Sequence, residues 1–394
     1  MNFKKYLQTI HLWLGLGSGL IVFVICVAAS LFVFEKELES FFYADYFQRP
    51  VSPSSAPTIP ADILLAKVQD TFPNQKISSM KLHAGPRTYE FISARSSDDE
   101  GLTFFSTMDY WNRIFVNPED GSITGVIDQM TNPIYLFRVL HQQLLLRGDI
   151  GQEVVAVATL VFLAMVLTGL ILWWPRKLKN LKHNLLPTAG KSLSLLSYNL
   201  HRIGGFYVHI FIVLLGTTGL VWSYKWWLNL IFFVMGQDPQ AVYWKQKVTP
   251  PTEPCPAVEL PLQQVTEDAI SRHQNWTKMT IYLPEDRQDK NSYFLAAIKY
   301  DGGSGWDESL RFFYHPQCAS PFHQVLHNDK SLGEKWRNSN YAIHVGSIYG
   351  MPTKVLAFIV AAFAATMPIT GFLIWKKKRR RKIARFFKRF TKNK

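Results

Sequence analysis

Long apolar runs alternate with long polar segments along this chain. Four of the runs are long enough to cross a lipid bilayer, which takes about 20 residues of helix. A long polar segment separates the first run from the second and the third from the fourth, whereas a short basic loop separates the second from the third. The pattern predicts a multi-pass helical membrane protein. The predicted spans cover residues 12–34, 154–174, 203–222 and 355–375.

The two long polar segments have the patterning of folded domains. Each contains a stretch with apolar residues at helical spacing, followed by strand-like runs. In the first segment the helical stretch is ADILLAKVQDTF and the strand-like runs are TYEFISAR and RIFVNP. In the second the helical stretch is PLQQVTEDAISRH and the strand-like runs are MTIYLP, SYFLAAIKY and LRFFYHP. We therefore expect a four-helix membrane bundle with two α+β domains outside it.

The net charge of +14 is unevenly distributed. Segments 1–10, 175–202 and 376–394 are rich in Lys and Arg and contain no Asp or Glu. Basic residues beside membrane spans stay in the cytoplasm, so both termini and the middle loop are expected on the cytoplasmic side of the membrane. The long segments then lie on the outer side. The basic, aromatic tail predicts contact with anionic lipid, and no nucleic-acid partner is expected.

The first apolar run is too long for the core of a signal peptide, so we expect an uncleaved anchor. The chain then divides into eight parts. In order they are the N-terminus with the first span (1–34), the first outer domain (35–150), the second span (151–175), a cytoplasmic loop (176–202), the third span with an interfacial extension (203–234), the second outer domain (235–350), the fourth span (351–375) and a basic cytoplasmic tail (376–394).

The two halves of the chain repeat one another. IHLWLGLGSGL near the first span resembles LHRIGGFYVHI near the third, and LHQQLLLRG…LTGLILWWPRK resembles IHVGSIYG…ITGFLIWKKKR around the second and fourth. Both halves run in the same direction through the membrane. This is typical of parallel repeats related by an axis along the membrane normal.

Four of the eleven histidines occupy these repeated positions. His11 and His201 lie at the cytoplasmic mouths of spans one and three, and His141 and His344 precede spans two and four on the outer side. Helical bundles build cofactor sites from facing side chains. Two imidazoles that fill both axial positions of a haem suit electron transfer, so the pattern predicts two bis-histidine haems. The alternative is that each histidine is a hydrogen-bonded residue at the membrane interface.

Glycines near these histidines could give a flat macrocycle room, or could serve helix packing alone. They are Gly15, Gly17, Gly19, Gly204 and Gly205.

His209 also lies inside the third span, but its repeat counterpart is Gly19. It could replace His201 as a ligand, relay protons, or form a hydrogen bond that packs helices.

A second cluster comprises His315, Cys318, His323 and His327. Its spacing resembles a loose metal site, although a solvated surface helix carrying His323 and His327 is the simpler interpretation. Cys255 and Cys318 could form a disulfide or remain as two thiols.

Taken together, these motifs and the IFVNPEDGSITG turn resemble the PepSY-associated transmembrane helix family. The resemblance covers nearly the whole chain. It implies haem b between the helices and a ferric-siderophore reductase activity with a periplasmic reducing face. It also implies that His11 and His201 are the cytoplasmic-side ligands, and that His141 and His344 are the periplasmic-side ligands.

The expected function is therefore an inner-membrane electron-transfer enzyme. It would take electrons from an unidentified cytoplasmic or membrane donor and reduce ferric iron, bound to a siderophore or another periplasmic chelator. Two alternatives stay open: a PepSY-type envelope regulator or peptidase inhibitor with a structural membrane bundle, and an accessory component of iron uptake.

Overall fold

The computed structural model describes residues 3–48, 58–85, 87–175, 177–188, 190, 192–253, 255–289 and 291–390. The helices are α1 Phe3–Phe32, α2 Glu35–Phe42, α3 Ala44–Phe47, α4 Ala61–Thr71, α5 Pro133–Gln143, α6 Gly148–Trp173, α7 Leu181–Leu185, α8 Leu193–Asn199, α9 Gly205–Ser223, α10 Lys225–Val234, α11 Pro261–Ser271, α12 Leu332–His344 and α13 Met351–Phe390. The strands are β1 Ile77–His83, β2 Tyr89–Ser96, β3 Met108–Val116, β4 Ile123–Asp128, β5 Trp276–Tyr282, β6 Phe294–Tyr300, β7 Ser309–Tyr314 and β8 Pro321–Val325.

Within the described residues, four helices are long and apolar enough to cross a membrane, which confirms the predicted multi-pass class. The helices extend beyond the apolar runs. The third, Leu193–Ser223, begins ten residues before the predicted start at 203, so His201 lies within a continuous helix rather than at its mouth. Polar residues such as Asn and Arg at this end do not stop a helix, and apolar runs therefore underestimate helix length.

The four membrane helices form one compact unit made of Met1–Phe34, Phe137–Lys225 and Ile343–Lys394. Helix α1 packs against α6 and α13, and α9 packs against the same two helices from the other side. Helices α1 and α9 are therefore diagonal across the bundle, as are α6 and α13. Side chains on diagonal helices can meet on the bundle axis.

The two outer segments, expected as two domains, form a single compact unit of Glu35–Leu136 and Trp226–Ala342. Its antiparallel sheet has the strand order β4-β3-β2-β1-β5-β6-β7-β8. Each segment contributes one helix followed by four strands, and β1 pairs with β5 to join the two halves. The pairing removes two strand edges that separate domains would leave open.

The hydrophobic core of this unit lies between one sheet face and the helices α4 and α11. Inward-facing residues of the central strands, such as Met80, Leu82, Met279 and Ile281, are almost completely buried against Leu64 and other helix residues. The predicted helices α4 and α11 and the predicted strands β2, β3, β5, β6 and β7 are confirmed.

Candidate functional site

His11 and His201 face each other inside the membrane bundle. His11 belongs to α1, and His201 lies on a π-helical turn, Leu200–Gly204, that connects α8 to α9. Their ring centres are 6.2 Å apart and their planes are nearly perpendicular. The extra residue of a π-helical turn rotates the side chains around it, and such turns are frequent at functional sites. The structure therefore brings together the two histidines that the repeat predicts as partners.

His141 and His344 form a second pair with the same spacing. His141 lies on α5 and His344 is the last residue of α12, and their ring centres are 5.9 Å apart. Both rings are buried, and burial lowers the pKa of each imidazole, that of His344 to about 3. Both side chains are thus neutral at physiological pH, which is the protonation state that a metal requires.

Each imidazole has its Nδ1 atom held by an oxygen of a neighbouring helix. His11 Nδ1 lies 2.9 Å from Thr168 Oγ1, and His201 Nδ1 lies 3.0 Å from Thr370 Oγ1. In the second pair, His344 Nδ1 lies 3.0 Å from Thr218 Oγ1.

His141 is the exception, because its Nδ1 bonds the backbone oxygen of Ile25 at 2.9 Å. Three histidines are therefore held by threonine hydroxyls and the fourth by a carbonyl.

These contacts determine where each imidazole carries its proton. The three threonine hydroxyls also bond carbonyls of their own helices, for example Thr168 Oγ1 to the Met165 oxygen at 3.0 Å. A hydroxyl has a single proton to donate. When it donates that proton to the helix carbonyl, its oxygen accepts a hydrogen bond from the histidine. The Ile25 carbonyl can only accept. His141 is therefore an Nδ1–H tautomer, and the other three histidines are the same tautomer when their threonine hydroxyls donate to the helix carbonyls. In that state each histidine keeps the Nε2 lone pair for a ligand.

A glycine follows each of the three threonines and lies against the same ring. A Cβ atom at Gly169 would come within 3.3 Å of His11 Cε1, and one at Gly371 within 3.2 Å of His201 Cε1. At Gly219 the corresponding distance to His344 Cε1 is 3.1 Å. The Thr-Gly pair thus supplies both the acceptor and the space for an imidazole.

The repeat motifs LTGLILWWPRK and ITGFLIWKKKR contain Thr168-Gly169 and Thr370-Gly371, whereas Thr218-Gly219 lies outside the motifs that define the repeat. The signal was present, because TTGL at 217–220 resembles LTGL at 167–170 and ITGF at 369–372. The first span has no such pair at the equivalent place, where the sequence is AAS. In this span the backbone carbonyl of Ile25 accepts the hydrogen bond of His141 instead.

Tight turns return the chain into the bundle directly after each outer histidine. Leu144 and Leu145 both have positive φ, 56° and 57°, after His141, a conformation that costs a leucine free energy. After His344 the turn uses Gly346 with a φ of 73°, and a Cβ there would collide with the Thr353 backbone oxygen. Such strain persists only where the surrounding packing imposes it.

Aromatic rings enclose the His141–His344 pair. Phe32 stacks on His141 at 6.3 Å, and Trp222 meets the His344 ring edge-on at 5.4 Å. The Arg138 guanidinium lies over the Phe32 ring, 4.9 Å from its centre. The two imidazoles are therefore buried among aromatic rings, with one guanidinium on the far side of the Phe32–His141 stack.

His209 occupies a different environment from the four paired histidines. Its Nδ1 bonds the Phe206 carbonyl of its own helix, and its ring lies beside Phe206, which stacks on Trp173. Unlike the paired histidines, it has no second histidine ring facing it among the described residues. It therefore packs against its own helix in this structure, and its ligand role stays a prediction.

Most of the glycines proposed to make room for a cofactor contact side chains of neighbouring helices. A Cβ at Gly15 would meet Met165, one at Gly19 would meet Pro368, and those at Gly204 and Gly205 would meet Phe363 and Met367. Of the predicted set only Gly17 faces open space within 4 Å. Close helix packing, the alternative interpretation, therefore explains four of the five.

The second histidine cluster is not a helical site. Cys255 and Cys318 form a disulfide, with His315 Nδ1 at 3.2 Å from Cys255 Sγ. His323 lies on strand β8 with its ring against Phe313, so the interpretation of a helix carrying His323 and His327 is wrong. The β7–β8 hairpin forms instead because FFYHP and PFHQV pair along the edge of the sheet.

The fold and the site together define a multi-pass membrane protein whose helices hold two facing pairs of tautomer-fixed histidines. The model of the PepSY-associated TM region family matches residues 8–378. The chain belongs to this family, as the sequence motifs predict. No curated protein matches the chain.

Proposed function

We propose that this protein is an inner-membrane di-haem b electron-transfer enzyme that passes electrons across the membrane and reduces ferric iron, carried as a siderophore complex, in the periplasm. The observation that carries the proposal is the presence of two histidine pairs with their Nε2 lone pairs available and their Nδ1 protons committed. Family membership supports it at the level of the fold.

The spacing of both pairs suits a single iron between two imidazoles. Two imidazoles on one metal, each bonded at about 2 Å, hold their ring centres about 6 Å apart. The observed distances are 6.2 Å and 5.9 Å. His11 with His201 would hold one haem, and His141 with His344 would hold the other.

When bound, haem supplies an iron that gains and loses one electron. The protein's own residues set the conditions. Each histidine pair would supply two nitrogen ligands to its haem, which would leave no coordination site open for oxygen. Thr168, Thr370, Thr218 and the Ile25 carbonyl orient the rings. Their hydrogen bonds also make the imidazoles more basic ligands.

The direction of electron flow rests on the charge pattern. The Lys- and Arg-rich segments favour a cytoplasmic location for both termini and the 176–202 loop, which puts the His11–His201 pair nearer the cytoplasm. A cytoplasmic or membrane-soluble donor would deliver electrons there, and the sheet unit would meet the ferric complex on the other side. The basic end of α13 would contact anionic lipid.

The decisive test is the visible spectrum of the purified full chain after haem-replete expression in a bacterial host. We expect low-spin b-type bands, in oxidised and dithionite-reduced states, at two haems per chain. His141→Ala and His344→Ala should each remove the same haem, and His11→Ala or His201→Ala the other. His273→Ala, in the sheet unit beside Tyr300, is the matched control and should keep both.

A colourless protein would overturn the proposal. If all four histidine variants kept a wild-type spectrum, the ligand assignment would be wrong. A reductase assay on the two-haem protein, with a ferric siderophore as acceptor, then tests the activity.

A further inference from the structure

The sheet face that turns away from α4 and α11 carries a cluster of basic side chains. Side chains alternate between the two faces of a strand, so next to the buried Met80, Leu82 and Met279 the residues Lys81, His83 and Lys278 point to this second face. We call Lys81, His83, Lys278 and Lys299 the cationic patch.

Strand register places the members of the cationic patch side by side. His83 on β1 pairs with Lys278 on β5, and Lys278 pairs in turn with Lys299 on β6. Lys81 is one step away, opposite Thr280. Directly paired residues have their Cβ atoms about 5 Å apart, so three neighbouring strands present these basic groups as one surface across the join between the two halves.

Carboxylates already neutralise the outer members of the patch. Lys81 donates to Glu90 Oε1 at 2.9 Å, and His83 Nε2 lies 3.8 Å from Glu90 Oε2. Glu90 is itself shared, because it also accepts from Arg113 at 2.8 Å. Lys299 pairs with Asp307.

Lys278, in the middle of the patch, has no such partner. It makes no hydrogen bond or ion pair with any residue that the structure describes. Burial and the charges of neighbouring lysines together lower its pKa to about 8, although the nearby Glu90 carboxylate acts in the opposite direction. A partly buried ammonium beside other cations costs free energy of folding, and groups of this kind concentrate at binding sites.

We propose that the cationic patch binds the anionic oxygens of the ferric complex, with Lys278 as its central contact. The substrates would then be chelates that keep negative charge after binding iron, such as carboxylate or catecholate complexes, rather than neutral hydroxamate complexes. This inference rests on the proposed function, which identifies the ligand as a ferric complex.

The chemistry of the patch fits such a ligand. Hydrogen bonds from an ammonium to a carboxylate or catecholate oxygen are charge-assisted and stronger than neutral ones. A neutral complex would leave Lys278 without compensation. Partial exposure keeps the patch open to a solute, since the Lys81 and Lys299 side chains are 24% and 48% exposed.

The test uses the full chain in neutral detergent at pH 7, with calorimetric titration of gallium(III) citrate, a redox-inert probe of the charge and size of the ferric complex. Lys278→Met keeps the apolar stem and removes the charge. We expect Lys278→Met to weaken binding tenfold or more, which corresponds to the usual contribution of a charge-assisted hydrogen bond to affinity. Lys67→Met, on α4 behind the opposite sheet face, is the matched control and should bind as wild type does.

Thermal unfolding separates binding from folding. Because Lys278 has no partner, Lys278→Met should melt at or above the wild-type temperature without ligand, and should lose the rise in melting temperature that gallium citrate causes. The proposal is overturned if Lys278→Met binds the probe as tightly as wild type. It is also overturned if a neutral gallium trihydroxamate, or inorganic phosphate alone, binds with the same affinity as the citrate complex.

Failure here can be told apart from failure of the proposed function. A protein with both haems that does not bind gallium citrate refutes the patch alone. A colourless protein refutes the proposed function, and gallium citrate binding can still be measured on it.

Discussion

Three threonines hold three of the four paired histidines in the same manner. Each hydroxyl gives its proton to its own helix and accepts the Nδ1 proton of an imidazole on another helix. The fourth histidine, His141, uses the Ile25 carbonyl. The two pairs therefore differ in their supporting hydrogen bonds. The His11–His201 pair has two hydroxyl acceptors, and the His141–His344 pair has one hydroxyl and one carbonyl.

Replacing a threonine should change the haem without removing its ligand. Thr218→Val keeps the side-chain shape but removes the acceptor for His344, so the imidazole becomes a weaker donor to ferric iron. We expect a more positive midpoint potential for that haem and a loss of haem affinity of about 10- to 100-fold. A redox titration followed at the b-type bands measures the potential, and a titration of the haem-free protein with haem measures the affinity.

Thr217→Val is the control for that substitution, because the Thr217 hydroxyl bonds the Val213 carbonyl of its own helix. Its potential should match wild type. Equal potentials in Thr218→Val and wild type would show that the hydrogen bond does not tune the iron.

A second prediction concerns the ligand role of His209. Its ring lies against Phe206 of its own helix, and no second histidine ring faces it among the described residues, so His209→Leu should retain two haems, whereas His201→Leu should lose one. Haem content by pyridine haemochrome assay distinguishes them. Loss of one haem in His209→Leu, with His201→Leu intact, would reverse the ligand assignment.

Among the elements, helices α4 and α11 stabilise each other's first turn. The Asp62 carboxylate on α4 accepts the backbone N–H groups of Leu262 and Gln263 at 3.1 Å and 2.8 Å. In return the Gln263 side chain accepts the N–H of Ala61 at 2.8 Å. The N-terminal N–H groups of a helix lack partners within the helix, and here each helix supplies them for the other.

We expect Asp62→Ala to destabilise the sheet unit by about 1–2 kcal/mol, the usual cost of losing a helix cap. The carboxylate also lies near the positive end of the α11 dipole, and this interaction is lost too. Thermal unfolding of the full chain in detergent should show a lower first transition. Asp70→Ala, an exposed acidic position on the same helix, should leave that transition in place. If both variants melt alike, the reciprocal capping contributes nothing measurable.

On the scale of the whole molecule, the charge pattern and the disulfide point to the same topology. Lys and Arg residues gather in the segments at the ends of the spans, while the Cys255–Cys318 disulfide lies in the sheet unit. Disulfides persist in oxidising compartments such as the periplasm. The sheet unit and the basic loop should therefore lie on opposite sides of the membrane.

Cysteine labelling tests this arrangement in intact cells. In a Cys26→Ser background, Gln288→Cys in the exposed β5–β6 loop should react with a membrane-impermeant maleimide that has crossed only the outer membrane. Lys182→Cys, in the basic loop, should react only after the inner membrane is permeabilised. Both positions are exposed in the structure. The opposite pattern, or equal labelling at the two sites, would contradict the predicted orientation.

The sequence by itself determined the four membrane spans, the helices α4 and α11, five of the strands and the four repeated histidines. These features follow from local periodicity and composition, which act over a turn of helix or a few residues of strand. The membrane helices extend beyond the predicted spans, because polar residues at either end of the apolar runs continue the helices. The Thr218-Gly219 pair is also visible in the sequence, but only the structure shows that it contacts His344.

Only the tertiary structure decided how these parts meet. The joining of the outer segments through β1 and β5, the hydrogen bonds that hold each imidazole and the position of Lys278 among other cations all depend on residues far apart in the chain. The local sequence pattern does not specify these contacts, because a strand edge can pair with many strands and an imidazole can form a hydrogen bond with many acceptors. Packing of the whole chain selects one of them.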